Sequence, residues 1–114
     1  MLFRSGEFKL SSGGISRWKI ECDNLDVEDW TLLAMMIAEH SSSFGAVVGI
    51  PRGGLALATA LVPHITTGPR LLVDDVWTTG GTIAKWRQPN DVVWVAFARS
   101  QPTDGTRAVF TLTA

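Results

Sequence analysis

Two adjacent carboxylates, Asp74 and Asp75, end an apolar β-favouring run, Leu71-Leu72-Val73, and are followed by Val76-Trp77 and then Thr78-Thr79-Gly80-Gly81-Thr82. Carboxylates at the carboxyl end of a strand in an open α/β sheet stand where ligands bind, and they can accept hydrogen bonds from sugar hydroxyls. The hydroxylated, glycine-containing stretch leads into Ile83-Ala84-Lys85-Trp86-Arg87, which reads as a helix extending from Thr82 to about Gln88. Loop amides, Thr hydroxyls and the positive end of the helix dipole would then converge on one point, where an anion fits. Hydroxyl acceptors beside an anion loop describe a sugar phosphate ligand. A strand capped by Asp and a helix opened by small residues would account for Asp-Asp alone. It would have to be a coincidence at every position to account for the full run.

A second constellation precedes the first. Phe44 to Ile50 is a continuous apolar run of the kind buried on both faces of a parallel sheet, and Pro51-Arg52-Gly53-Gly54 stops it before a helix from Leu55 to Val62. Strand, Gly-Gly turn and helix place further backbone amides at the same sheet edge, with glycines that permit close approach to a ligand. The forked guanidinium of Arg52 suits phosphate oxygens. His40, near the end of a helix, and His64, in a turn, carry no chemistry of their own; His64 reads as an exposed connector residue.

The remaining elements must hold these two loops in place. Glu7 to Leu10 and Ser16 to Asp23 alternate polar and apolar residues around Ser11-Ser12-Gly13-Gly14, a β-hairpin. Asn24 to Asp29 offers caps and acidic first-turn residues for a helix whose apolar positions are Trp30, Leu33, Ala34, Ile37 and Ala38, with Met35-Met36 as core filler. Strands are expected near 46–50, 71–75 and 92–98. Arg99 follows the last of these at the ligand edge. The turn Gln101 to Gly105 is short, which predicts that Arg107 to Leu112 returns as an antiparallel strand.

Composition excludes several other classes. The chain of 114 residues is 46% apolar with a formal net charge of −1, as for one cored domain, 1–114, and it has no basic stripe for nucleic acid or a membrane surface. Cys22 is the only cysteine, so no internal disulfide forms, and no Cys/His set has zinc spacing. The first residues lack the apolar core of a signal peptide and no run is long enough to span a bilayer, so a cytoplasmic protein is expected.

The run from Leu71 to Thr82 resembles the phosphoribosyl-diphosphate (PRPP) binding signature of the type I phosphoribosyltransferases. Phe8, Leu10, Ser12-Gly13 and Ser16 resemble the N-terminal hood of the orotate branch. The resemblance implies an α/β, Rossmann-like central parallel sheet flanked by helices, with residues 1–23 as a hairpin hood and 24–114 as the core. It implies that Pro51, Arg52, Gly53 and Gly54 take the diphosphate and that Thr78, Thr79, Gly80, Gly81 and Thr82 take the 5-phosphate. Asp74 and Asp75 would hold the ribose hydroxyls, and Val76 and Trp77 complete the PRPP contacts. The catalytic residues implied are Asp74, Asp75 and Arg52. Mg²⁺ would be held by Asp74 and Asp75, directly or through water. The acceptor, orotate or a related pyrimidine-like base, would lie near Trp18, Lys19, Arg99 or Trp77.

Three departures from that pattern are visible. Trp77 replaces a smaller residue, Ser11 stands where the orotate branch commonly has a basic residue, and the interval from Gly54 to Leu71 lacks the extra strand and long mobile lid of full-length relatives. The expected function is a minimal phosphoribosyltransferase that transfers ribose 5-phosphate from PRPP to a nucleobase and releases diphosphate. A homodimer is expected for so short a chain. The alternative is a non-catalytic module that binds PRPP or a nucleotide at the same site.

Overall fold

In the computed structural model residues 25–111 are described. The hairpin expected over 7–23, and with it Trp18, Lys19 and the hood pattern from Phe8 to Ser16, lies outside them. In chain order the elements are α1 (Val27–His40), β1 (Ala46–Gly49), α2 (Leu55–Leu61), a 3-10 turn (Val62–His64), β2 (Arg70–Trp77), α3 (Gly81–Trp86), β3 (Val92–Ala98) and β4 (Arg107–Thr111). The four strands form one sheet in the order β1-β2-β3-β4, every neighbouring pair parallel.

Helix α1 begins where its caps dictate. Asp26 accepts from the Asp29 amide at 3.0 Å, and Asp29 accepts from the Asp26 amide at 3.1 Å. This reciprocal capping box satisfies amides that the first turn leaves without partners. Trp30, Leu33, Ala34 and Ile37 point inward, but Met35 falls on the opposite side of the helix and is 52% exposed, so it is not the core filler expected.

Two apolar cores lie against the sheet. One joins α1 and α2 to Leu71, Val73, Trp94, Phe97 and Phe110, and the rings of Phe97 and Phe110 stack with centroids 5.8 Å apart. The other joins Ile83 of α3 to Leu72, Trp77, Val93 and Val95. At the amino end of β2, Arg70 grips Asp91 through Nε at 3.0 Å and Nη2 at 2.6 Å, and Nη2 also donates to the Trp86 carbonyl at the end of α3. That clamp fixes where α3 ends relative to the strand it follows.

Four sequence expectations are corrected. β4 is parallel to β3, not antiparallel: Trp94 pairs with Arg107 and Ala98 with Thr111. The connection 99–106 only has to run back along four residues of strand, about 13 Å, and eight extended residues reach roughly 26–29 Å, so no crossover helix is needed. β1 is half-buried rather than covered on both faces, because it stands at an edge of the sheet. β2 does not end at the aspartates, since Val76 and Trp77 continue the ladder opposite Phe97 and Ala98. Finally, α3 stops at Trp86, short of Gln88, whose position before Pro89 disfavours helical backbone.

Candidate functional site

The carboxyl ends of β1 and β2 bring the two loops together. Beyond β1, a cis peptide joins Pro51 to Arg52, and Gly54 opens α2 with its amide donating to the Ile50 carbonyl at 2.8 Å. A Cβ placed on Gly54 would sit 2.5 Å from the Val73 carbonyl oxygen and 2.8 Å from the Ile50 nitrogen, so this turn lies flush on the backbone of β2. A Cβ placed on Gly53 would overlap the entire Asp75 carboxylate, with Oδ1 at 2.6 Å. Glycine at both positions is therefore what lets the Pro51–Gly54 turn touch the paired aspartates. Pro51, Arg52 and Gly53 are exposed beside them.

The aspartates interrupt the ladder. Pairing passes from Asp74 opposite Val95 to Val76 opposite Phe97. The Asp75 amide donates instead to Asp74 Oδ1, and the Val76 amide to Asp75 Oδ1, both at 2.8 Å. Across this step the strand changes facing. Val73 and Val76 both pack on the α1 and α2 core, whereas Leu72 and Trp77 both belong to the α3 core. Strict alternation would have put Trp77 with Val73.

Burial, together with the hydrogen bond to the Asp75 carboxyl, pushes the Asp74 carboxyl up to about 7, against the lowering effect of the Asp75 amide. Between its ordinary value near 4 and this raised one, the folded protein keeps a proton that the unfolded chain has released, so stability falls as pH rises through that window. Asp74→Asn removes this penalty while keeping an acceptor for the Asp75 amide. The variant and the parent are expected to melt alike near pH 4. By pH 8 the variant should be more stable by at least about 1.4 kcal/mol, the value of one pK unit, or roughly 6–11 °C. Melting curves that stay parallel from pH 4 to 8 would show that Asp74 is an ordinary carboxylate.

The Thr78–Thr82 loop follows directly. Gly80 takes a left-handed conformation (φ 89°, ψ 0°) and its carbonyl accepts from Ala84 at 2.9 Å, closing the first turn of α3. Thr78, Thr79, Gly81 and Thr82 are exposed. Val76, Trp77, Thr78, Gly80, Thr82 and Ile83 line a small polar hollow here. Arg99 is exposed at the same edge, its amide donating to the Trp77 carbonyl at 3.0 Å.

Two partners of this loop were not singled out from sequence. Trp77 Nε1 donates to Asp104 Oδ2 at 3.1 Å, and Arg87 Nη1 donates to the Asp104 carbonyl at 2.6 Å. Burial pushes the Asp104 carboxyl up, but hydrogen bonds from Thr106 and Trp77 and the nearby Arg87 charge together hold it below the usual range. The only sequence signal was Asp-Gly in a turn, which marks a bend and nothing more. His64 is half-buried rather than exposed, and it lies beyond the far end of α2, away from both loops.

No group of three or more His, Cys, Asp or Glu side chains among the described residues could hold a metal by itself. The adjacent carboxylates do suit Mg²⁺, which keeps much of its shell as water and substrate phosphate and needs only one or two protein carboxylates. No helix among the described residues is long and apolar enough to cross a membrane.

No family model matches the chain, and no curated protein matches its sequence. Solved structures do. Orotate phosphoribosyltransferase from Aeropyrum pernix is 26% identical with a TM-score of 0.64, the match covering 93% of this chain and 86% of that one. UMP synthase from Leishmania donovani is 21% identical with a TM-score of 0.65, over 96% of this chain but 33% of that one. Helicobacter pylori xanthine-guanine-hypoxanthine phosphoribosyltransferase is 14% identical with a TM-score of 0.51, over 75% and 84% of the two chains.

Proposed function

We propose that this chain, which has the fold of the type I phosphoribosyltransferases, binds PRPP across the carboxyl ends of β1 and β2 and transfers its ribose 5-phosphate to a nucleobase, with orotate or a related pyrimidine-like base preferred. The observation that carries the reading is the contact between Gly53 and the Asp75 carboxylate. It joins a turn suited to a diphosphate directly to carboxylates suited to ribose hydroxyls.

In this reading the Thr78–Thr82 loop receives the 5-phosphate through its amides and hydroxyls, and Asp74 and Asp75 orient the ribose. The backbone of Val76 and Trp77 sets the floor between them, with the Trp77 indole turned toward α3. Arg52, with the amides of Gly53 and Gly54, takes the diphosphate and offsets the charge that grows on it as the bond to C1 breaks. Mg²⁺ held by Asp74 and Asp75 would neutralise diphosphate charge. Arg99 at the sheet edge, with Trp18 and Lys19 of the hood, would contact the base. One domain over 1–114, paired as a homodimer, completes the proposal.

The test is diphosphate release from PRPP with a panel of bases, beside calorimetry of Mg-dependent PRPP binding to the parent and to Asp75→Asn. Release with one base, and binding weakened at least about tenfold by the substitution with no loss of melting temperature, is the expected result. Equal PRPP affinity in the variant would remove Asp75 from the site. A second reading, a module that binds PRPP without turnover, is favoured by one observation: the interval between α2 and β2 holds only a 3-10 turn and a short loop where a lid would be. PRPP binding with no release for any base would select it.

A further inference from the structure

We infer that Trp77 and Asp104 form a brace that holds the Thr78–Thr82 loop in its anion-receiving shape from behind, so that both are positioning residues for the 5-phosphate. The inference rests on the phosphate-loop reading above and goes beyond it, because Asp104 belongs to the β3–β4 connection and neither motif contains it. The break in alternation at Asp74-Asp75 turns the Trp77 side chain toward α3. Its Nε1–H then meets Asp104 Oδ2 at 3.1 Å.

The pair is packed directly against the loop. A Cβ placed on Gly80 would lie 2.9 Å from Asp104 Oδ2 and 3.1 Å from Trp77 Nε1, so Gly80 rests on the hydrogen bond itself. Its left-handed backbone, φ 89°, is the bend at the middle of the loop. Asp104 is in turn held on three sides: Oδ1 accepts from the Thr106 amide at 3.0 Å, Oδ2 from Trp77, and the carbonyl from Arg87 at 2.6 Å. Trp77 is 5% exposed, which leaves the indole little freedom to leave. A rigid support beneath a binding loop lowers the ordering cost of binding and so raises affinity without touching the ligand.

A carboxylate so close to a phosphate site would repel the ligand if it were bare. Here each carboxylate oxygen accepts one hydrogen bond, from an indole and an amide, and the Arg87 charge held on the Asp104 carbonyl offsets its negative charge, so it can serve as a structural acceptor beside an anion. A smaller residue at position 77 could not reach Asp104, so tryptophan at this position and aspartate at position 104 belong together.

The experiment compares Trp77→Phe, Asp104→Ala and the double variant with the parent, using ribose 5-phosphate and diphosphate as separate probes in calorimetry. Amide hydrogen exchange is followed on each protein. Ribose 5-phosphate affinity should fall at least about tenfold in each single variant, and no further in the double one because both remove the same brace. Diphosphate affinity should stay within about twofold. Exchange at 80–83 should accelerate while exchange in α2 stays unchanged. Asp104→Asn, which keeps the shape, replaces Asp104→Ala if that variant does not fold. Unchanged ribose 5-phosphate affinity with unchanged exchange at 80–83 overturns the brace, and equal loss of both probes with a lowered melting temperature reduces it to a fold contact. If the parent binds diphosphate but no ribose 5-phosphate, the loop assignment fails and the brace's role falls with it.

Discussion

Gly53→Ala should lower PRPP affinity about 10- to 100-fold and leave the melting temperature nearly unchanged, whereas Gly54→Ala should lower the melting temperature by about 12–24 °C. The two neighbours differ in what their added Cβ meets. At Gly53 it meets a side chain, the Asp75 carboxylate, which can swing away at the cost of its alignment with the ribose hydroxyls. Hydrogen bonds to charged groups contribute about 1.5–3 kcal/mol each, and losing one or two sets the range. At Gly54 it meets the Val73 carbonyl and the Ile50 backbone, which cannot move without opening β1 from β2. Overpacking of that kind costs about 3 kcal/mol, and a domain of this size loses roughly 4–8 °C for each kcal/mol. Thermal melts and calorimetry on both variants check the contrast. A Gly53→Ala protein that binds PRPP as the parent does would separate the turn from Asp75 and remove the observation on which the proposed site depends.

Turnover should be slow, on the order of 10²- to 10⁴-fold below that of a phosphoribosyltransferase with a mobile lid. A lid excludes water and completes the charge around the departing diphosphate. Under the proposed reading, two basic contributions that the resemblance to the orotate branch implies are missing, since a 3-10 turn and a short loop fill the interval between α2 and β2 and position 11 is Ser. At about 1.5–3 kcal/mol for each charged hydrogen bond, two absent contacts that act mainly in the transition state give this range of rates. His64, in the interval where a lid would be, lies at the end of α2 far from both loops. In the proposed homodimer, Lys9, Arg17 and Lys19 of the neighbouring chain would be basic residues able to contribute. Steady-state rates decide the matter: a lidded enzyme's rate that survives Lys9→Ala, Arg17→Ala and Lys19→Ala would refute the lid argument. A slow rate that falls further with one of them would place the neighbouring subunit at the site.

Both loops were legible as turns between a strand and a helix because each is specified by local chemistry. Pro51-Arg52-Gly53-Gly54 and Thr78 to Thr82 each follow an apolar run and precede a helix, and strand-turn-helix order alone puts such loops at one edge of a parallel sheet. The capping box at Asp26 and Asp29 and the inward stripe Trp30, Leu33, Ala34 and Ile37 were likewise written in short-range spacing. Met35 was misjudged because the helical rotation carries it to the side opposite the Trp30, Leu33, Ala34 and Ile37 stripe, whereas Met36 lies close enough to that stripe to pack against the core.

What the sequence determined by itself was the set of parallel-sheet strands from Ala46 to Ala98, the helices between them and the residue types at the two loops, since these depend on periodicity and on turn residues a few positions apart. Tertiary structure alone decided the direction of β4 and the facing of Trp77. The direction of β4 follows from whether the connection can run back along β3, a question of distance and register that eight residues of turn-like composition do not answer. The facing of Trp77 follows from one step in the alternation, which β2 makes at Asp75 and β3 makes in register at Ala96-Phe97, and which sends the indole to Asp104, 27 positions away in the chain. Contacts over such separations are fixed by packing, and no local pattern in the chain encodes them.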